Sequence, residues 1–423
     1  MPQPSLHIEA VSAHQILDSR GYPTIEVELR LADGALVRAA APAGASTGAH
    51  EAVELRDGAP AYSGRGVDAA VAMAEGELAD LLTAHPWHSL AELDYAMREL
   101  DGTANASRVG GNTLVALSMA ACRGFASAAQ LPLHSWIAFA TGSTERLPVP
   151  HFNVLNGGAH AANELDFQEF MIAPVGADSF EAAVRCGAET YHALAKRIRR
   201  QFKETGLGDE GGFAPRMARP EEALGLVVEA ITDAGYTPGM GEVAVALDPA
   251  ANGFHTDNGY RVAGEDLSDG QLLEYYLRMV DTFPIRSIED GFAEDDATGW
   301  ISQDGRLASR IQLVGDDLYV TDPARIADGA RRRLSNAVLV KPNQIGTLTQ
   351  TFEAIHVARE HNMACMISHR SGETLDTFIA DLAVGTGVGQ IKSGAPARGE
   401  RVGKYNRLLE IARNHPELPY GLA

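Results

Sequence analysis

Between Leu6 and about Ala40 the chain alternates. Thr24-Ile25-Glu26-Val27-Glu28-Leu29 puts polar and apolar side chains on opposite faces, the pattern of a half-exposed strand. Asp33-Gly34 then turns into Leu36-Val37-Arg38, which predicts a hairpin. Ala41-Pro42-Ala43-Gly44-Ala45-Ser46-Thr47-Gly48 is too rich in glycine and small residues for either element and reads as a loop. Helical periodicity follows over Val67–Thr83, Leu90–Leu100 and Thr113–Ala128. The stretch Thr141–Pro150 interrupts it, so residues 1–140 are expected to form an α+β domain and residues 141–423 a larger second one.

Beyond that break, short apolar runs each end in a charged or polar residue and alternate with amphipathic stretches. Val243–Leu247 ends at Asp248, Pro284–Ile288 at Glu289, and Ile311–Gly315 at Asp316. Ala337–Val340 ends at Lys341, Ala364–Ser368 at His369, and Gln390-Ile391 at Lys392. The spacing, roughly 25–40 residues, is what a strand, a helix and two loops require. Continuous apolar runs mark strands buried on both faces. Six such units predict an α/β fold, a (β/α) barrel, in preference to an open sheet. In a barrel the polar residues at the strand ends converge on one face. No GxGxxG follows the first strand, and Gly385-Thr386-Gly387-Val388-Gly389 has the wrong spacing and place for a dinucleotide.

Composition narrows the partners. With 45% hydrophobic and 22% charged residues the chain is expected to fold without staples. Its net charge of −21 argues against nucleic acid or an anionic membrane surface. Cys122, Cys186 and Cys365 form no CxxC pair, which predicts free thiols in a reducing compartment. The N-terminus shows no basic patch before an apolar run, and no stretch reaches ~18 uninterrupted apolar residues. A cytoplasmic protein is expected.

Three strand-end residues, Asp248, Glu289 and Asp316, are carboxylates. Singly, each reads best as a cap on the helix that follows. Three in succession, with two lysines and a histidine in the same ring, point to a cation between them, and few hard oxygen ligands suit Mg²⁺. Lys341 beside such a cation is a candidate general base, because a neighbouring positive charge lowers a lysine's pKa. Lys392 could stay charged and balance a negative substrate. That set suits proton abstraction next to a carboxylate, whose conjugate base needs concentrated positive charge.

Gly208-Asp209-Glu210-Gly211-Gly212 carries an acid on a tight turn. Glu210 could donate a proton to a leaving hydroxyl, and an ordinary acidic turn reads equally well. Asn156-Gly157-Gly158-Ala159-His160 and Phe167-Gln168-Glu169-Phe170 supply a second His and Glu. His369-Arg370-Ser371-Gly372-Glu373 offers an Arg fork and a hydroxyl, a match to phosphate, where a structural ion pair is the plainer reading of Arg370. The Gly44–Gly48 loop could close over the site with Ser46 reaching metal or phosphate, or simply connect.

Taken in order, Ile16-Leu17-Asp18-Ser19-Arg20-Gly21, Gly44–Gly48, Glu54-Leu55-Arg56-Asp57-Gly58, Gly208–Gly212, Ser287-Ile288-Glu289-Asp290, Gly315-Asp316-Asp317, Asn343-Gln344-Ile345-Gly346-Thr347, Ser368–Thr374 and Lys392-Ser393-Gly394-Ala395-Pro396 resemble the motifs of the enolase family. The resemblance runs from about Ile16 to Leu409. It implies an N-terminal α+β capping domain on a modified (β/α)8 barrel, a homodimer or higher oligomer, and two Mg²⁺ per active site. It also implies reversible dehydration of 2-phosphoglycerate to phosphoenolpyruvate, and the Lys-plus-Mg²⁺ pairing is a known pattern of that superfamily. By this resemblance Lys341 takes the C2 proton, and Glu210, helped by Glu169, expels the C3 hydroxyl. Asp248, Glu289 and Asp316 hold the first Mg²⁺ and Ser46 the second. Lys392 faces the substrate carboxylate, and His160, His369, Arg370 and Ser371 contact substrate and phosphate.

Departures from the family pattern are Tyr22 after Arg20-Gly21, Ala43 before Gly44, Gly111 before Asn112, Ala159 before His160, Gly291 after Asp290, and Pro342 after Lys341. None removes an acid, a base or a metal ligand. They leave two other readings. One is an enolase-like paralogue of a phosphonate-antibiotic pathway, similar to carboxyphosphonoenolpyruvate synthase; the other is an inactive binding protein on the same fold. The superfamily's racemases and sugar-acid dehydratases lack the Ser46 loop and the His369-Arg370-Ser371 grip.

Overall fold

The computed structural model describes residues 5–45, 48–203 and 206–422. The alternating start forms three antiparallel strands, Ile8–Leu17, Pro23–Leu31 and Leu36–Ala40, paired in chain order. The middle strand turns Ile25, Val27, Leu29 and Leu31 inward, as its period of two requires. They pack on helix Gly111–Ala128, which is buried along nearly its whole length. The helix expected over Val67–Thr83 is two helices, Asp68–Glu75 and Glu77–Thr83, parted at Gly76, whose ψ of −114° is not helical. A helix over Leu133–Thr141 was not expected; its Pro132 and Gly142 flanks fit a helix start and a left-handed C-cap.

Eight strands close the barrel: Val149–Asn156, Glu169–Pro174, Val243–Asp248, Ile285–Glu289, Gln312–Gly315, Ala337–Val340, Ala364–Ser368 and Gln390–Lys392. The barrel departs from regular β/α alternation. Glu169–Pro174 runs antiparallel to both neighbours, because only the single-turn helix Gly158–His160 separates it from the strand before. A link that short cannot make a parallel crossover. Two helices, Phe180–Phe202 and Pro220–Asp233, follow it together. A three-stranded hairpin sheet over residues 255–267 stands outside the barrel.

The N-terminal unit docks on the barrel through buried polar contacts. Asp94 accepts hydrogen bonds from the backbone N–H and hydroxyl of Thr349, at 2.9 and 2.6 Å, at the start of helix Leu348–Glu360. Burial pushes the Asp94 carboxyl up to about 6, although Thr349 and Ser118 oppose the shift. The three cysteines are buried and unbridged. Among the described residues no single helix is long and apolar enough to cross a membrane.

Candidate active site

Asp248, Glu289 and Lys392 end their strands, whereas Asp316, Lys341 and His369 lie one residue beyond theirs. All six project at the same mouth of the barrel, as the alternation of apolar runs with polar ends requires. Five of them, Glu289 excepted, line one polar cavity with Glu169, Glu210, Arg370 and Ser371, and Glu289 joins them through its ion pair with Lys392. Lys392 occupies the centre of the acids. Its ammonium lies 3.0 Å from Asp248 Oδ2, 2.9 Å from Glu289 Oε1 and 3.1 Å from Glu169 Oε1. These carboxylates outweigh burial and hold it charged, well above the usual lysine range. Burial and Asp248 push Glu289 up in turn.

Lys341 donates to Asp316 Oδ2. Burial would lower its pKa, but Asp316 prevails and raises it. This differs from the sequence expectation of a lowered value, which presupposes a cation sharing Asp316. Gln344 Nε2 donates to the other Asp316 oxygen at 2.9 Å.

Across the mouth, Glu210 accepts from Asn153 Nδ2 at 2.8 Å, and His369 Nε2 is 3.2 Å from its Oε2. Burial would raise this carboxyl, yet His369, His160 and Arg401 hold it well below its usual range. Glu169, facing it, is pushed well above by burial and by Glu210 itself. The two facing carboxyls are thus pushed in opposite directions, the pattern of a pair able to share a proton. His369 accepts from Arg401 Nη1 at its Nδ1, and burial pulls its pKa to about 4; its Nε2 stands near Glu210 without a hydrogen-bond partner. His160 sits within ion-pair reach of both acids, 3.7 and 3.6 Å from Nδ1, and its Nε2 meets Ser371 Oγ at 3.1 Å.

Local sequence explains these placements. Glu210 rides a turn in which Gly211 adopts φ +87°, and a Cβ at Gly208 would fall 2.6 Å from the His160 carbonyl. The loop His369–Thr374 is pinned by the last helix, Gly399–Asn414: Arg401 donates to the Arg370 and Ser371 carbonyls, and Lys404 to Glu373 Oε2. Arg401 and Asn153 have nothing in their local pattern that marks them, and Gln344, though inside a family-like motif, carries no role that its spacing reveals. Ser46 lies outside the described residues.

The acids fit a hard cation. Asp248 Oδ1 and Glu169 Oε2 are buried at the mouth without a hydrogen-bond partner, oxygen lone pairs that a divalent ion would satisfy. Asp248, Glu289 and Asp316 are split between the two lysines, while Asp290, Asp316 and Asp317 bring one oxygen each within 4.8 Å of one another. Asp290 also accepts from the Asp316 and Asp317 backbone N–H groups, both at 2.9 Å, which fixes the turn that aims Asp316. Tyr22, Ala43, Ala159, Gly291 and Pro342 are all absent from the lining of this cavity. Gly291 backs onto Gln303, where a Cβ would lie 2.4 Å from Nε2, and Pro342 occupies the first helical position of Pro342–Ile345, where its missing N–H costs nothing.

The family model "Enolase, N-terminal domain" matches residues 8–137, and "Enolase, C-terminal TIM barrel domain" matches residues 144–417. A relative named enolase from Rubrobacter xylanophilus is 52% identical over 407 residues, 96% of this chain and 94% of its own length. Another, from Acidothermus cellulolyticus, is 50% identical over 404 residues with the same coverage. A strand-end ring of acids and lysines, a facing glutamate pair and these matches across both parts of the chain agree: it belongs to the enolase family.

Proposed function

We propose that the chain catalyses the reversible dehydration of 2-phosphoglycerate to phosphoenolpyruvate, with Lys341 as the base at C2 and Glu210, seconded by Glu169, as the acid at the C3 hydroxyl. The chain is an enzyme of the hydro-lyase class. One observation carries the assignment of roles: the base and the acid pair stand on opposite sides of the mouth. In the strand order of the closed barrel, Ala337–Val340, which precedes Lys341, lies directly across from Glu169–Pro174. A substrate between them offers its C2 hydrogen to one side and its C3 hydroxyl to the other, the orientation an anti elimination needs.

Lys341 takes the C2 proton, and the electron pair moves into the substrate's carboxylate as an enediolate. Lys392, held charged, faces that growing negative charge. The C3–O bond then breaks as the hydroxyl leaves with the proton of the Glu169–Glu210 pair, giving water and the enol phosphate. His369 and His160 keep Glu210 in register, and Arg370 and Ser371 hold the phosphoryl group. Asp248, Glu289 and Asp316 would hold one Mg²⁺ and Ser46 would reach a second; such ions, when bound, supply the positive charge that stabilises an enediolate. Capping unit 1–140, barrel 141–423, homodimer or larger homo-oligomer and cytoplasmic location belong to the same reading.

Steady-state turnover of 2-phosphoglycerate, followed by the ultraviolet absorbance of the enol product, tests it. Turnover lost on chelation and restored by Mg²⁺ is expected. A silent protein that still binds Mg²⁺ and 2-phosphoglycerate would replace this reading with the phosphonate-pathway paralogue.

A further inference from the structure

The Arg370 guanidinium spends both prongs on a carboxylate from the N-terminal unit. Nη1 donates to Glu51 Oε2 at 2.9 Å and to Asn343 Oδ1 at 3.1 Å, and Nη2 donates to Glu51 Oε1 at 3.1 Å. Both side chains are buried, 4% and 7% exposed. Glu51 Oε1 also accepts from the Gly48 N–H at 3.1 Å and from Gln344 Nε2 at 3.3 Å. Gln344 is thus shared between Glu51 and Asp316 on the barrel side. The Ala52 N–H donates to the Gln344 carbonyl at 2.7 Å, so the 48–52 segment is fastened to the mouth through Glu51 and its neighbour.

A bidentate fork recognises any group that offers two coplanar oxygens, whether carboxylate or phosphoryl. Glu51 presents that face from within the chain, at the effective concentration of a tethered ligand. A phosphoryl dianion on the same fork would stand against the Glu51 carboxylate, and like charges at that range repel. We propose that Glu51 is an internal anion that competes with the substrate's phosphoryl group for Arg370, so that binding exchanges one for the other and frees the 48–52 segment from the barrel mouth. This rests on the reading of Arg370 as a phosphate contact. The exchange sets specificity: a singly charged group does not displace a tethered carboxylate, whereas a dianion does. It also connects phosphate binding to Asp316, because Gln344 loses one of its two carboxylate partners when Glu51 leaves.

Binding of inorganic phosphate to the full-length protein in Mg²⁺ buffer, measured by calorimetry, separates the possibilities. Glu51→Gln removes the competing charge and is expected to tighten phosphate binding by about tenfold. Arg370→Ala is expected to abolish it. If Arg370→Ala binds phosphate as the wild type does, the phosphate reading of Arg370 is wrong whatever Glu51 does. If Arg370→Ala loses binding while Glu51→Gln binds equally or more weakly, the exchange is overturned and Glu51 merely orients the arginine. Hydrogen exchange on the wild type covers the case in which Glu51→Gln does not fold. Saturating phosphate should speed exchange at the Ala52 amide, and unchanged or slower exchange overturns the proposal.

Discussion

At the strand beginnings, the floor of the barrel, Arg286 Nη1 donates to His151 Nε2 at 2.7 Å and to Gln390 Oε1 at 2.9 Å, while Gln312 and Gln390 exchange amide bonds at 3.2 and 3.0 Å. At the strand ends, the mouth, Glu169, Asp248, His160 and Asn153 each keep a buried atom without a hydrogen-bond partner; among the described residues none of the floor's four side chains does. Both layers are polar and enclosed by the same eight strands. The floor is one cation among neutral groups, with burial alone pulling Arg286 to about 10. The mouth is a set of acids and cations whose pKa values are pushed in opposite directions, Glu169 up and Glu210 down. The buried polar groups of the floor are saturated, and an orphan there would cost about 1–3 kcal/mol. Groups that await a ligand carry that cost unpaired, and perturbed pKa values gather where they do.

Substitutions at the two layers should therefore differ in kind. Lys341→Ala removes the proposed base and is expected to lower kcat by about 10³-fold or more, with the thermal transition kept, as single-turnover measurements and calorimetry would show. A drop of less than tenfold would erase the functional half of the contrast. Arg286→Met, on the floor, replaces a buried cation by a shorter apolar chain. It should leave kcat/KM within about threefold and cost about 2–6 kcal/mol in denaturant unfolding, since each buried acceptor left unpaired costs about 1–3 kcal/mol. A large loss of turnover with an unchanged fold would mean that the floor takes part in the chemistry.

The smallest effect is expected at a buried acid far from either layer. Asp94 has a folded pKa of about 6, raised chiefly by burial above its ordinary 3.8. A raised carboxyl pKa means the unfolded chain binds fewer protons between those values, so this group's contribution becomes less favourable as pH rises from about 4 to 6. Relative to Asp94→Asn, the wild type should therefore gain on the order of 2 kcal/mol as pH falls from 7 to 4. A pH-independent difference between the two, read by chemical denaturation, would show that Asp94 stays ionised at the seam.

Much of the mouth was legible because of how a barrel is written. A strand buried on both faces reads as a largely apolar run, so Asp248, Glu289, Asp316, Lys341, His369 and Lys392 stood out as the titratable residue that closes each run. The first two barrel strands did not stand out. Val149–Asn156 carries His151 and Asn153 inward, to the floor and to Glu210, which breaks its apolar run. Arg286 was hidden differently. The register of its strand shifts between Ile285 and Ser287, and a bulge of that kind re-aims a side chain that alternation would send elsewhere.

What the sequence determined by itself is the order of apolar runs, their polar ends and the turns between them, because those depend on residues near one another in the chain. From these follow the closed ring of strands and the identity of the groups at its mouth. Only the tertiary structure decided which of them face each other. It set Lys392 among three acids, Lys341 on Asp316, Arg401 behind His369 and Glu51 on Arg370. Those pairings join residues from distant parts of the chain, so neither spacing nor periodicity encodes them. They are settled by packing, and with them the charge each group carries, since a buried group's ionisation answers to whatever charge is brought within a few ångströms.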